Sequence, residues 1–231
     1  MFYSPYYGLG PGMIFLIPAI ILAMYAQMKV RSTFNKYLNI QNARGYTGGQ
    51  VARMILDRNG MHHVPVEHTG GYLSDHYDPK RKVLRLSSNV YNESSIASIS
   101  VAAHEAGHAI QDHVGYIPLT LRSTIAPIAS FGSQAVWLLV FAGFILRIGS
   151  LVDIGILFYL VAVIFQVVTL PVEFNASSRA IEQLQISGVI VSNEINSSKK
   201  VLNAAALTYV AAMAVSIAQL LRLMLLRNRR D

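Results

Sequence analysis

Four stretches of the chain carry no charged side chain over roughly the length that a helix needs to cross a bilayer. A helical span takes about 20 mostly apolar residues. One such stretch could be a buried helix of a soluble protein, but four with uncharged interiors indicate membrane spans. The four stretches run from Gly12 to Met28, between Arg122 and Arg147, between Asp153 and Glu173, and from Val201 to Leu221.

The first apolar stretch is predicted to be a retained membrane anchor. It lacks the basic residues that precede the apolar part of a secretory signal peptide, and no small-residue cleavage site follows it. Lys29 and Arg31 come directly after it. Basic residues in this position are typical of the border of a membrane span.

The region between the first and second spans is polar and carries turns and short periodic runs, which predict a small α+β domain outside the bilayer. Its predicted elements are a helix after a turn at 45–50, strands at 64–67 and 83–86, and a helix at 94–111 capped by Asn92 or Ser94. The predicted organisation is a membrane anchor at 1–28, an extramembrane domain at 29–121, a transmembrane hairpin at 122–172, a helix at 173–200, and a last span with a basic tail at 201–231.

The composition supports a membrane protein and narrows its chemistry. Hydrophobic residues make up 53% of the chain and charged residues 13%, against about 25% charged in soluble domains. The formal charge is +7, but no basic stripe with interleaved aromatic residues predicts nucleic-acid binding. Because there is no cysteine, disulfides and thiolate metal sites are excluded, and a metal would need histidine and carboxylate ligands.

His104-Glu105-Ala106-Gly107-His108 is the run that carries candidate chemistry. On a helix, residues four apart lie about 40° apart around the axis, so both imidazoles face the same way with Glu105 beside them. Such a run also occurs by chance, with both histidines at the surface. Here the surrounding helix is apolar, and buried polar groups need partners. A zinc ion supplies one, and Glu105 is then placed to act on a zinc-activated water.

A third zinc ligand must come from elsewhere in the chain. His113 lies five residues past His108, which turns it about 140° away on a continuous helix. Glu173 follows the third apolar stretch. Two spans separate Glu173 from the His104 helix, so both reach the same face of the membrane. We therefore predict that His104, His108 and Glu173 hold one zinc ion.

Four runs of the sequence carry a family resemblance: Ala103–Gln111, Pro171–Arg179, Leu73–Pro79 and Leu84–Ser87. They resemble the bacterial YugP-like family of neutral zinc metallopeptidases. More distantly, the layout is similar to the HtpX and Ste24 membrane proteases, whose third ligand is a Glu in an E-x-x-A-D-type run. In this chain Ser177 stands at the last position of that run. The Asp there orients a zinc histidine in those relatives, so Asn175 or Ser177 is the candidate replacement.

The resemblance implies a mainly α, integral membrane, zincin-like (gluzincin) metallopeptidase with about four transmembrane helices. The residues predict an endopeptidase mechanism in which Glu105 takes a proton from water and passes it to the leaving amine. Substrates would be membrane-associated or misfolded proteins, lying in extended form along an edge strand at 83–88. Candidates for transition-state stabilisation or support of the ligands are His76, Tyr77, Ser177 and Arg179.

Two other functions fit the same motif. In one, the chain is a non-catalytic membrane adaptor with a structural zinc, and His113 or His76 completes four protein ligands. In the other, zinc hydrolysis acts on a non-peptide substrate such as a lipid amide. The expected partners are a protein or peptide substrate and the lipid bilayer, with no nucleic acid.

The resemblance implies a bacterial cell-membrane protein, and the basic residues favour a cytoplasmic catalytic side, because positive charge accumulates on the cytoplasmic face. The basic tail argues for the other orientation. The catalytic side carries Lys29, Arg31, Lys36, Arg44, Lys199 and Lys200, and the opposite side carries Arg147, Arg227, Arg229 and Arg230.

Overall fold

The computed structural model describes residues 12–228 and shows a mainly helical chain with one small sheet. Arg229 and Arg230 of the basic tail lie outside the described residues. The elements, in chain order, are α1 (Met13–Leu38), α2 (Gly48–Arg58), β1 (Val66–Thr69), β2 (His76–Asp78), β3 (Val83–Ser87), α3 (Ser88–Asn92), α4 (Ile96–His113), α5 (Ile117–Ile145), α6 (Gly149–Ile186) and α7 (Ile195–Asn228).

The four long helices α1, α5, α6 and α7 are the predicted membrane spans. Each is long and apolar enough to cross a bilayer. Large apolar side chains such as Phe131, Leu138 and Phe141 are exposed along them, which is the expected surface of a helix that faces lipid. All four helices continue beyond the apolar stretches, and α6 reaches 38 residues. This chain is therefore a mainly α membrane protein.

The described residues divide into two compact units. The first contains residues 12–26, 121–170 and 208–228, which are the most apolar parts of the long helices. Within it, Arg227 Nε donates to Asp153 Oδ1 at 2.8 Å and joins the end of α7 to the start of α6. The second unit contains residues 27–120 and 171–207. The five-segment organisation predicted from the sequence stays a prediction.

The sheet has three strands in the order β1-β3-β2. Strand β3 pairs in parallel with β1 and antiparallel with β2, so it is the central strand. The prediction that this strand offers a free edge to substrate is therefore wrong. The edge strands are β1, which begins two residues later than predicted, and β2, whose three residues were too short for an alternating pattern to reveal.

The core of the second unit forms where α2 packs on α4. Ile55 and Ile99 are fully buried in it. Helix α2 begins with a capping box between Thr47 and Gln50. The cap of α4 is Ser95, whose side chain accepts from Ser98 N at 3.0 Å, so the predictions of Asn92 and Ser94 as its cap are wrong.

Candidate metal centre

The site lies where α4 touches α6 within the second unit, and a glycine makes that contact possible. A Cβ atom on Gly107 would lie 2.7 Å from the carbonyl oxygen of Ala176, closer than Cβ atoms come to other atoms in real proteins. The glycine between the two histidines therefore lets the two backbones approach. Because of this approach, side chains from both helices can reach a common point.

Three donor side chains meet there. His104 and His108 come from α4, and Glu173 comes from α6. Glu173 Oε2 lies 3.2 Å from His104 Nε2 and 3.6 Å from His108 Nε2. One ligand atom from each of the three residues lies within 4.8 Å of the others. The two imidazole rings stand nearly at right angles, at 83°, with their centroids 4.7 Å apart.

These distances fit the ligand set of a zinc ion. Donors about 2.0–2.1 Å from a tetrahedral zinc lie about 3.3 Å from one another, and the two histidine–glutamate distances are close to that value. Two imidazoles and one carboxylate are also ligands that zinc prefers. Glu173 is 2% exposed, so its charge needs a cationic partner. The assignment of the three residues as ligands stays a prediction that the geometry supports.

The second ring nitrogen of His108 shows which nitrogen is free to bind a metal. Its Nδ1 lies 3.0 Å from Gln111 Oε1. Gln111 Nε2 donates to the carbonyl of Val172 at 2.8 Å. Because a carbonyl can only accept, the Gln111 amide has one orientation, and its oxygen must accept from His108 Nδ1–H. With its Nδ1–H committed to Gln111, His108 has Nε2 left, which faces Glu173 and would offer its lone pair to a metal once it carries no proton.

The Gln111 side chain belongs to a larger network on α6. Its Nε2 also donates to Asn175 Oδ1 at 3.0 Å, and Arg179 Nε donates to the same oxygen at 2.8 Å. Gln111 itself is fully buried. Supporting groups of this kind fix the orientation of a metal-binding histidine. The network therefore ties His108 to the helix that carries Glu173.

His104 has a simpler partner. Its Nδ1 lies 3.2 Å from the hydroxyl oxygen of Ser177. Ser177 is one of the two residues that the sequence indicated as a support for a zinc histidine. Of the two candidate replacements named from the sequence, Ser177 contacts His104, whereas Asn175 belongs to the Gln111 network on the His108 side.

Glu105 is nearly buried and one of its oxygens is held. The backbone N–H of Tyr77 on β2 donates to Glu105 Oε2 at 3.0 Å.

Glu105 also affects the pKa of the neighbouring His108. Burial by itself would lower the pKa of His108, but the hydrogen bond to Glu173 and the charges of Glu105 and Glu173 outweigh burial and raise that pKa. The two carboxylates therefore stabilise positive charge at His108.

The other predicted residues make their observed bonds outside the three-donor cluster. His76 Nδ1 bonds the carbonyl of Ser74 at 2.8 Å, as a residue that orients a turn does. The Tyr77 hydroxyl donates to Asp112 at 2.6 Å. Arg179 bonds Asn175 through Nε. His113 is exposed at the end of α4 and is not in the three-donor cluster.

Two residues of the site were missed in the sequence. Gln111 lies three residues after His108, which is the same face of the helix, so the spacing could have revealed it. Asp75 accepts from Ser87 N at 2.7 Å and from its hydroxyl at 3.0 Å. Burial raises the pKa of Asp75, and the charge of Glu105 raises it further. Asp75 therefore lies within electrostatic reach of the candidate base.

Sequence comparison agrees with this geometry. Residues 12–228 match the sequence model of a family described as "Putative neutral zinc metallopeptidase". The chain belongs to this family. The match covers every residue that the structure describes, so the family assignment includes the long apolar helices as well as the donor cluster.

A relative supports the membrane assignment. The chain is 50% identical over 220 residues to a Bacillus subtilis (strain 168) protein named "Putative membrane protease YugP", and the alignment covers 94% of this chain and 98% of that protein. No solved structure matches the chain. Together with the four long apolar helices, these comparisons define a member of a membrane zinc metallopeptidase family.

Proposed function

We propose that the chain is a zinc-dependent endopeptidase of the bacterial cell membrane, which hydrolyses peptide bonds of membrane-associated or misfolded proteins. The observation that carries this proposal is the convergence of His104, His108 and Glu173 next to Glu105. Membership of the zinc metallopeptidase family supports it. One zinc ion held by these three residues would activate water and polarise the substrate carbonyl.

The residues of the chain supply the proton transfers. Glu105 accepts a proton from the attacking water while its Oε2 stays on the Tyr77 amide. The oxygen of that water adds to the peptide carbon, and Glu105 then donates the proton to the nitrogen as the C–N bond breaks. Low exposure of Glu105 keeps bulk water away from this carboxylate.

The size of the donor cluster favours catalysis over the adaptor function. Structural zinc sites use four protein ligands, whereas catalytic sites use three and leave a position for water or substrate. Across residues 12–228, the cluster of converging donor atoms has three members. His76 and His113, the two candidates for a fourth ligand, are not among them.

Replacement of the candidate base tests the mechanism. Purified protein in nanodiscs should contain one zinc ion and cleave an unfolded reporter protein. Glu105→Gln should keep the zinc and lose about 100-fold or more of the cleavage rate, because the proton acceptor is gone. Glu182→Gln is the matched control, since it makes the same change at an exposed position of α6. Unchanged cleavage by Glu105→Gln contradicts the proposed mechanism.

The products of the same reaction distinguish the substrate class. An endopeptidase creates new protein amino termini, which mass spectrometry detects after labelling of primary amines. Hydrolysis of a lipid amide would instead release fatty acid from the nanodisc. A zinc-dependent fatty-acid signal without new amino termini would contradict a peptidase.

We also propose that the catalytic unit faces the cytoplasm, on the basis of the basic residues around the first and last spans. The chain has no cysteine, so single cysteines can report its orientation. His113→Cys should react with a membrane-impermeant maleimide only after cells are opened, and Ser150→Cys should react in intact cells. Both positions are exposed. The reverse labelling pattern contradicts this orientation.

A further inference from the structure

Tyr77 makes two hydrogen bonds to α4, one with its backbone and one with its side chain. Its N–H donates to Glu105 Oε2 at 3.0 Å, and its hydroxyl donates to Asp112 Oδ2 at 2.6 Å. Glu105 and Asp112 are seven residues apart, which places them two turns apart on one face of the helix. A single residue of β2 is therefore attached to α4 at two points, and one of them is the candidate base.

The pairing of the sheet makes the Tyr77 N–H available for this bond. Tyr77 lies opposite Leu84 in the antiparallel pair of β2 and β3. The N–H of Leu84 donates to the carbonyl of Pro65, away from β2. Tyr77 and Leu84 thus form a non-hydrogen-bonded pair, so the N–H of Tyr77 points out of the sheet edge. Glu105 is the acceptor that this N–H reaches.

Asp112, the residue that accepts from the Tyr77 hydroxyl, has a second partner in the sheet's turn. Lys82, in the turn between β2 and β3, forms an ion pair with the same Asp112 oxygen that accepts from Tyr77. Burial raises the pKa of the Tyr77 hydroxyl, and the hydrogen bond and charge of Asp112 raise it further, so the hydroxyl stays a neutral donor. Both the strand and its turn are therefore anchored to the last part of α4.

We propose that Tyr77 and Asp112 are positioning residues for Glu105, and that they hold the edge of the sheet against α4 so that the Tyr77 amide fixes one carboxylate oxygen. This inference rests on the proposed peptidase function. A carboxylate held through Oε2 has its other oxygen, Oε1, fixed in one direction, and in this proposal Oε1 is the oxygen that accepts the proton from water. Misplacement of a reacting group by about 1 Å can cost about 100-fold in rate.

Kinetics distinguishes positioning from a structural role. Tyr77→Phe removes only the hydroxyl bond, and Asp112→Leu removes its acceptor. Each should lower kcat about 10- to 100-fold with KM and zinc content unchanged. The double variant should be no slower than the slower single variant, because both break one connection.

Tyr72→Phe is the matched control for these variants. The Tyr72 hydroxyl donates to Asn35 Oδ1 at 2.6 Å, the same distance as the Tyr77 bond, and it lies in the same unit. This variant should keep the parental kcat. Parental kcat in Tyr77→Phe, or equal losses in Tyr72→Phe and Tyr77→Phe, would overturn the proposal.

Amide exchange tests the same connection without a substrate. Backbone exchange at Tyr77 should become at least tenfold faster in Glu105→Ala, Tyr77→Phe and Asp112→Leu, while exchange at Leu84 stays slow in all three. Unchanged exchange at Tyr77 in Glu105→Ala would overturn the proposal. If the parent cleaves nothing but this exchange pattern is found, the peptidase function fails and the attachment of β2 to Glu105 stands.

Discussion

The two histidines of the H-E-x-x-H run are equally buried but differently supported. Their side chains are 12% and 11% exposed. His108 rests on the Gln111 amide, which makes two further hydrogen bonds to α6. His104 rests on the hydroxyl of Ser177 at 3.2 Å. Burial therefore does not separate the two sides of the site, whereas the number and kind of hydrogen bonds do.

The two histidines of the motif therefore differ in how firmly their Nδ1 partners fix them. An amide whose nitrogen is committed to a carbonyl has no freedom to rotate, so it fixes the proton on His108. A hydroxyl rotates about its C–O bond and can donate or accept, so Ser177 allows His104 either tautomer. The Gln111 side therefore restricts the orientation of His108 more than the Ser177 side restricts that of His104.

Gly107→Ala should disturb both sides together and have the largest effect. The added methyl would lie 2.7 Å from the Ala176 carbonyl oxygen, so α4 and α6 must separate. We expect the free energy of unfolding to fall by about 1–3 kcal/mol, and zinc affinity to fall because the donors move apart. Chemical denaturation and chelator competition measure the two effects.

Gly70→Ala is the control for that prediction, because nothing lies within 4 Å of a Cβ atom at this position. It should leave zinc affinity unchanged. Equal losses in the two variants would mean that the close approach of the helices at Gly107 does not hold the donors together.

Gln111→Leu should remove the hydrogen-bonded support of His108 and leave that of His104 intact. It removes the acceptor of His108 Nδ1–H and leaves the Val172 carbonyl without this donor. We expect zinc affinity to fall about 10- to 100-fold, the usual cost of removing a group that orients a metal ligand. Gln185→Leu, at an exposed position of α6, is the control for the loss of a glutamine amide. No change in affinity would exclude a supporting role for Gln111.

Ser177→Ala should have the smallest effect on zinc affinity, and it tests the support of His104. Loss of one neutral hydrogen bond costs about 0.5–1.5 kcal/mol, so zinc affinity should fall about two- to tenfold. Ser177→Asp should raise the affinity above that of the parent, because a carboxylate is a stronger acceptor for His104 Nδ1–H. A loss in Ser177→Ala as large as that in Gln111→Leu would remove the asymmetry between the two histidines.

Hydropathy was sufficient to predict the four long helices, because each carries an uncharged stretch near the length of a span. It did not predict their ends. Helix α1 continues to Leu38 and α6 to Ile186, since nothing in the polar residues that follow the apolar stretch stops a helix. The apolar stretch marks what lies in lipid, whereas caps and tertiary packing decide where the helix ends.

The candidate site was predictable where a local motif or the topology of the spans indicated a side chain. The motif indicated His104 and His108, and chain topology across two spans indicated Glu173. By contrast, the bond to Glu105 comes from the Tyr77 backbone, and every residue except proline has such an N–H. The tertiary fold selects that residue through a three-residue strand, which has too few positions to show a period.

The shortness of β2 also bears on self-association. An unpaired sheet edge can recruit a strand from another copy of the chain. At β2 the central residue is the one that directs its N–H outward, and Glu105 already accepts from it. The bond that holds the candidate base thus also occupies the outward N–H of this edge strand, which is then not available to pair with a strand of another copy.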